Sequence, residues 1–227
     1  MGESTWCQGQ PQYDEPSAQA SWLHTKKKTL AASEQKQQDR ATWRAQASQL
    51  DARQLLFVDE CGSNIALTPR YGWARKGQRV TGSVPRNRGK NTTLIAALGF
   101  EGMSESMIME GSATAAVFER YVEEVLVPHL QPGHIVIMDN LSCHKGSKIR
   151  QLIEARGCQM LFLPSYSPDF SPIEEAFSKL KAFLRRTGAR THELLQEAII
   201  QALQTITAQD AHGWFRHCGY LPARQVC

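Results

Sequence analysis

The sequence predicts an α/β fold in which a mixed sheet, built from an antiparallel meander and further parallel strands, is flanked by helices. Three short apolar runs are typical of strands buried on both faces of a sheet: residues 55–58, 135–138 and 160–163. Two more strand-like segments, 92–100 and 106–109, follow the first run, and helical periods separate the later ones. Because strands alternate with helices after the meander, a mixed sheet is favoured over an all-α or all-β fold.

Residues 1–50 are predicted to form a basic linker or arm ahead of a domain that spans residues 51–227. The segment is rich in Gln, Ser, Ala and Lys, includes the basic run Lys26, Lys27 and Lys28, and has neither a helical nor a strand period. The pattern changes at the first apolar run. The compact domain is therefore expected to start near Asp51.

The segment 70–90 combines positive charge with turn residues. It contains seven basic residues and no acidic one, interleaved with Gly and Pro, so short strands and hairpin loops are expected there. The pair Glu101-Gly102 then marks a turn between the strands 92–100 and 106–109.

A helical period begins near Thr114 and ends at Pro132 and Gly133. The strand 135–138, a helix over 145–156 and the strand 160–163 then form a β-α-β unit. A loop dense in Pro and Ser leads into a helix that begins at Ser171 or Pro172. The residues expected to face inward on this helix and on a last one are Ile173, Phe177, Leu180, Leu184, Leu195, Ile199, Ala202 and Ile206.

Composition excludes several classes of protein. The 227 residues carry a net charge of +4 and are 41% hydrophobic, which is typical of a globular chain rather than a disordered or fibrous one. No apolar run approaches the roughly 18–20 residues needed to cross a bilayer, and the first thirty residues contain no apolar core of a secretory signal. The six cysteines are scattered without a C-x-x-C pair, so reduced thiols in a cytosol are expected.

Two acidic residues follow apolar runs directly: Asp59 comes after residues 55–58, and Asp139 after residues 135–138. Ligands of open α/β sheets gather at the carboxyl ends of strands, where two such acids could share a divalent metal. Glu174, in the first turn of the helix after the Pro-rich loop, is the natural third ligand, with Glu60 and Glu175 as competitors. The 34 residues between Asp139 and Glu174 leave room for one helix, one strand and a loop that return the chain to the same edge.

Each candidate also has a plain structural interpretation. An Asp after a strand is most often a turn or cap residue, and Ser171 to Glu174 fits an S-x-x-E capping box. Glu60 and Glu175 are expected to point away from the neighbouring acids and to be solvated. His144 and Asn140 form a second tier, because His144 could assist proton transfer or contact a phosphate but could equally be an exposed residue at a helix start.

Three segments resemble one known family: LLFVDECG around Asp59, VIMDNLSCHKG around Asp139 and LPSYSPDFSPIEEAFSKLK around Glu174. They are similar to the DDE transposases of the mariner type and their bacterial insertion-sequence relatives, which share a ribonuclease-H-like fold with retroviral integrases. The resemblance runs from about residue 26 to residue 220. It implies that Asp59, Asp139 and Glu174 are the catalytic residues and the metal ligands.

The chain departs from the family pattern in two places. Ser171 stands where relatives commonly have Asn, although both residues serve as N-caps. Relatives also carry helix-turn-helix domains ahead of the catalytic domain, and residues 1–25 are too short for one. The chain therefore resembles the catalytic half of a transposase, either from a truncated gene or from a second reading frame joined by ribosomal slippage to an upstream helix-turn-helix segment.

The resemblance implies metal-dependent hydrolysis of a phosphodiester at a transposon end and attack of the freed 3′-hydroxyl on target DNA. It implies Mg²⁺, with Mn²⁺ as a substitute, as two ions about 3.5 to 4 Å apart. The implied partners are double-stranded DNA and a second copy of the chain, and the implied location is the bacterial cytoplasm at the nucleoid. Two alternatives stay open: a non-catalytic DNA-binding or regulatory fragment, and a nuclease acting on RNA in hybrids.

Basic residues are candidates for contacts with DNA phosphates, which are made mainly by Lys and Arg. The alternative is a solvated hairpin face. Trp73 and Tyr166 are expected to pack rather than to stack on bases. The candidate DNA-binding residues are Lys26, Lys27, Lys28, Arg75, Lys76, Arg79, Arg86, Arg88, Lys90 and Lys181.

Overall fold

The computed structural model of the chain describes residues 32–141 and 144–223. Its strands are β1 (Leu55–Ser63), β2 (Thr92–Gly99), β3 (Gly102–Glu110), β4 (Ile135–Met138) and β5 (Gln159–Phe162). Its α-helices are α1 (Gln37–Ala47), α2 (Ala115–Tyr121), α3 (Ser147–Glu154), α4 (Pro172–Thr187), α5 (His192–Gln204) and α6 (Ala208–His217). Within these residues, no helix is long and apolar enough to cross a membrane.

The five strands form one sheet in the order β3-β2-β1-β4-β5. β1 lies at the centre, antiparallel to β2, with Phe57 opposite Leu98, and parallel to β4, with Val58 opposite Met138. β2 pairs with β3 in antiparallel fashion, and β4 with β5 in parallel. The predicted mixed sheet of an antiparallel meander and parallel strands flanked by helices, with the ribonuclease-H-like order, is thereby confirmed.

Side-chain alternation along the strands divides the core into two parts. Phe57 and Ile137 pack on the face covered by α1, α4, α5 and α6, whereas Val58 and Val136 pack on the face covered by α2 and α3. Since successive residues of a strand point to opposite faces, Asp59 is on the α4 face, and Glu60 is on the α2 and α3 face.

Helix α1 lies within the segment that the sequence predicts to be a linker without a helical period. The compact unit that contains α1 begins at Ser33, whereas the sequence predicts that the domain starts near Asp51. Trp43 is buried and donates from Nε1 to the Tyr220 hydroxyl at 3.0 Å, and this hydroxyl donates to the Phe170 carbonyl at 2.7 Å. Only Arg40, Trp43 and Ala47 of α1 are buried, and one of these three is charged, so its sequence shows no apolar stripe.

Other segments also differ from expectation. The described structure has turns and bends over residues 64–91 and none of the short strands predicted for 70–90, since the frequent Gly and Pro interrupt any strand pattern. The first helix after the meander continues as a π-helical turn, Val122–Leu126. Helix α6 follows the helix expected to be last, and a capping box between Thr207 and Asp210 begins it.

Candidate active site

The sheet brings Asp59 and Asp139 to the same edge. The two strands are parallel neighbours, and their last paired residues are Val58 and Met138, so the acids occupy equivalent positions one residue further on. Asp139 follows β4 as predicted, whereas Asp59 lies within β1, because β1 continues along β2 as far as Ser63. Asp59 Oδ1 accepts a hydrogen bond from the Glu60 backbone N–H at 2.8 Å. Asp139 Oδ1 accepts one from the Leu141 backbone N–H at 3.1 Å. Each carboxylate is therefore oriented by the chain that follows it.

Glu174 reaches this edge from the first turn of α4. Pro172 begins the helix, and the Ser171 side chain makes no capping hydrogen bond. The capping box that offered a structural explanation for Glu174 is therefore not formed, and the Glu174 N–H donates instead to the Ser171 carbonyl at 3.2 Å. The adjacent acid, Glu175, pairs with His217 at 3.1 Å.

The carboxylates of Asp59, Asp139 and Glu174 all line one open cavity of about 370 Å³. The loop between β5 and α4 forms its opposite wall, and Asn140 ties this wall to the strand end by donating from Nδ2 to Ser165 Oγ at 3.0 Å. The sequence-predicted acids, which come from three separate elements, thus share one concave surface.

The electrostatics of the cavity are unfavourable to negative charge. Burial raises the pKa of Asp59, and the charges of Glu174, Asp139 and Glu60 raise it further, to about 7, against the opposing hydrogen bond from the Glu60 N–H. A divalent cation would offset this repulsion, and carboxylate oxygens are the hard ligands that Mg²⁺ and Mn²⁺ prefer. Among the described residues no group of three or more acidic, His or Cys side chains lies close enough together to hold an ion.

His144 is fully buried between two carboxylates, which excludes the alternative of an exposed residue at a helix start. Its Nδ1 lies 2.6 Å from Asp139 Oδ1, a close contact that lacks the alignment of a hydrogen bond, and its Nε2 lies 3.2 Å from Glu60 Oε1. Burial lowers the pKa of the imidazole, but contacts with Asp139 and Glu60 outweigh it and raise the pKa to about 10.

Glu60 does point away from Asp59, but it is not the solvated charge that the sequence suggested. Its side chain is 18% exposed because it faces His144 across the α2 and α3 side of the sheet. The alternation of side chains along β1 was the available signal, since it assigns Glu60 to a face that is otherwise apolar.

Arg40 was not identified from the sequence and anchors the loop that forms the cavity wall. From α1, its guanidinium donates to both carboxylate oxygens of Asp169, at 2.9 and 2.6 Å, and to Ser167 Oγ at 2.8 Å. It also lies over the Phe170 ring, 4.4 Å from the centroid. Arg40 holds the pKa of Asp169 below its usual range.

The candidate DNA-binding residues of the segment 64–91 are all exposed, and Lys90 forms an ion pair with Glu110 at 3.2 Å. Lys181 is half-buried on α4, where its charge partly opposes the burial that raises the pKa of Cys61. The basic run at residues 26–28 lies outside the described residues. Trp73 is fully exposed and Tyr166 is 58% exposed, so the expectation that they pack is wrong.

A second basic surface contains arginines that are not among the predicted DNA-binding residues. A groove of about 480 Å³ lies between the segment 64–91 and α4 and is lined by Pro69, Arg70, Tyr71, Ala182, Arg185 and Arg186. Tyr71 is 92% exposed, so the groove presents positive charge together with an aromatic face.

The chain matches one protein family by its sequence profile and is similar to several solved structures. The sequence profile of the DDE superfamily endonucleases matches residues 54–196. A search of curated protein sequences found no match. The structure is similar to a Mos1 transposase paired-end complex with the left transposon end, with a TM-score of 0.68 at 16% identity over 87% of this chain and 64% of that one.

Two other Mos1 structures are similar. A mariner Mos1 paired-end complex with Mg gives a TM-score of 0.65 at 17% identity, covering 88% of this chain and 64% of that one. The catalytic domain of Mos1 mariner transposase gives 0.58 at 13% identity, covering 80% and 85%. The chain thus spans less than two thirds of the Mos1 chains in the paired-end complexes, and at these identities the likeness is one of fold. The family is established by the profile, which covers more than half of the sequence and includes both Asp59 and Asp139 as well as Glu174, and the chain belongs to the DDE superfamily endonucleases.

Proposed function

We propose that this chain is the catalytic part of a DDE transposase, which hydrolyses a phosphodiester at a transposon end and then transfers the freed 3′-hydroxyl into target DNA. One observation carries the proposal: Asp59, Asp139 and Glu174 come from three elements and line a single cavity at the point where the parallel pairing of β1 with β4 ends. Residues 51–227 are proposed to contain all the catalytic side chains.

Asp59, Asp139 and Glu174 are proposed to hold Mg²⁺, or Mn²⁺ in its place, as two ions. Bound cations would stabilise the charge on the attacking and leaving oxygens and help to activate the nucleophile. The raised pKa of Asp59 supports this assignment, because burial and, to a smaller extent, the neighbouring acids disfavour a negative charge that a cation would stabilise. One of the similar Mos1 structures is a paired-end complex with Mg, which also favours this class of ion.

Backbone groups and a loop of the protein would orient the reaction. The backbone N–H groups of Glu60 and Leu141 fix Oδ1 of the two aspartates, so that the second oxygen of each remains available to a ligand. The β5 to α4 loop closes one side of the cavity and limits how far a phosphodiester can move within it.

Duplex DNA is the proposed substrate, held by basic residues through its phosphates. The exposed arginines and lysines of the segment 64–91, Lys181 and the run at residues 26–28 would provide contacts that weaken steeply as salt rises. The groove lined by Arg70, Arg185 and Arg186 extends the same positive surface along α4. Such contacts position DNA without reading its sequence.

Recognition of transposon ends is proposed to need more than this chain. Paired ends imply a second copy of the protein, and an upstream helix-turn-helix segment would supply end specificity. The similar Mos1 structures support this proposal, since they include paired-end complexes and the chain spans only 64% of the Mos1 chain in one of them.

The test is nicking of supercoiled DNA in Mg²⁺ or Mn²⁺ by the full chain and by Asp139→Asn, with Glu175→Gln as the matched control because Glu175 pairs with His217 instead. We expect metal-dependent nicking that Asp139→Asn abolishes and Glu175→Gln retains. Nicking that is unchanged in Asp139→Asn would reject the assignment. Salt-sensitive DNA binding without nicking would instead identify a regulatory fragment, and cleavage confined to RNA in hybrids would identify a nuclease.

A further inference from the structure

We propose that His144 is a positioning residue, which together with Glu60 holds Asp139 in the orientation that binds the metal. The inference rests on the proposed function, because it concerns how one ligand of that site is prepared. His144 does not line the cavity; it acts from the opposite face of the sheet through the Asp139 carboxylate.

The two carboxylate oxygens of Asp139 have different surroundings. The contacts from Leu141 N–H and from His144 Nδ1 are both made to Oδ1. The side chain is 37% exposed and lines the cavity, so Oδ2 is the oxygen left for a cation. Two contacts to one oxygen restrict rotation of the carboxylate about its bond to Cβ.

His144 is itself held in place by contacts with Glu60 and Phe118. Its Nε2 contacts Glu60 Oε1, and its ring packs at 4.1 Å against Phe118, which is also fully buried. Glu60 belongs to β1 and Asp139 directly follows β4, so the imidazole connects β1 to the residue after β4 at the point where their parallel pairing ends. Partners of metal ligands that are fixed in this way orient the ligands and tune their affinity.

The contact of His144 with Asp139 removes part of the cost of orienting that ligand when the cation binds. Removing the imidazole is therefore expected to weaken metal binding.

The experiment measures Mn²⁺ affinity of the full chain without DNA, by titration and electron paramagnetic resonance of the free ion. We expect His144→Ala to raise the dissociation constant about 10- to 100-fold. His144→Gln, which keeps a donor, is expected to fall between His144→Ala and the wild type. His134→Gln is the matched control, because His134 precedes the opposite end of β4 and its Nδ1 accepts a hydrogen bond from the local Gln131 N–H.

A second pair of variants covers the case in which His144→Ala does not fold. Glu60→Gln keeps an acceptor for Nε2 and is expected to bind Mn²⁺ nearly as the wild type does, whereas Glu60→Leu removes the acceptor and is expected to bind more weakly. Affinities that stay unchanged or increase in the His144 and Glu60→Leu variants, even with a lowered melting temperature, would overturn the positioning role while the proposed function stands. A wild type that binds no Mn²⁺ would overturn both.

Discussion

Replacing Asp169 with alanine is expected to destabilise the chain more than replacing Arg40 with methionine, although both changes break the same ion pair. The two partners differ in exposure: the Arg40 side chain is 8% exposed and that of Asp169 is 54% exposed. Asp169→Ala leaves a buried guanidinium with Ser167 and the Phe170 ring as its remaining neighbours. A buried charge that loses its partner costs more than a mean hydrogen bond, so we expect about 2 to 3 kcal/mol.

Arg40→Met has a smaller effect because the released carboxylate is already half in water and a methionine can occupy part of the space over Phe170. We expect about 1 kcal/mol, discounted for the solvent screening of the exposed partner. Urea unfolding of both single variants and of the double variant measures the two costs and their coupling. Equal costs, or a larger cost for Arg40→Met, would contradict the buried-charge explanation.

Two further predictions concern acid stability and DNA binding. The Lys179 ammonium, together with the cap contacts of Thr207, lowers the pKa of Asp210 to about 2 in the folded protein. The ionised Asp210 side chain therefore stabilises the fold fully above its pKa in the unfolded chain, about 4, and this stabilisation is lost as pH falls towards 2. The difference in unfolding free energy between the wild type and Asp210→Asn is therefore expected to narrow across that window, and a difference independent of pH would contradict the assignment. For DNA binding, Arg86→Ala and Arg88→Ala are each expected to reduce the slope of log affinity against log salt concentration by about 1, with little change in sequence preference. Fluorescence anisotropy of labelled DNA across a salt series measures this slope. An unchanged slope would show that the residue contacts no phosphate.

The core of the fold was predictable because its strands carry local signals. The apolar runs at residues 55–58 and 135–138 identify β1 and β4, which are buried on both faces and so need no alternation. Helix α1 gives no such signal, since Arg40 and Trp43 are held by partners more than a hundred residues away. A pattern confined to a short window cannot represent contacts of that range.

The candidate site, like the fold, could be predicted from the sequence only in part. Asp59 and Asp139 could be placed together from sequence because each directly follows an apolar run, and these two runs pair in parallel with their last residues side by side. The environment of Glu174 was open, since the capping box is encoded by the same residues and only the geometry of Ser171 decides against it. The choice depends on whether a side chain rotates towards the helix, which the identities of the residues do not determine.

His144 shows how two local rules could have been combined to go further. Alternation along β1 assigns Glu60 to the apolar face opposite Asp59, and an isolated carboxylate on such a face costs several kcal/mol unless it is paired. A basic partner must therefore lie beside Glu60 on that face, and the neighbouring parallel strand places the turn after Asp139 there. His144 is the first basic residue of that turn, so the need to neutralise Glu60 could have predicted the buried imidazole, which the sequence analysis did not do. The same reasoning explains why the acidic pair at residues 59 and 60 can serve two purposes, since one carboxylate faces the cavity and the other holds the group that orients Asp139.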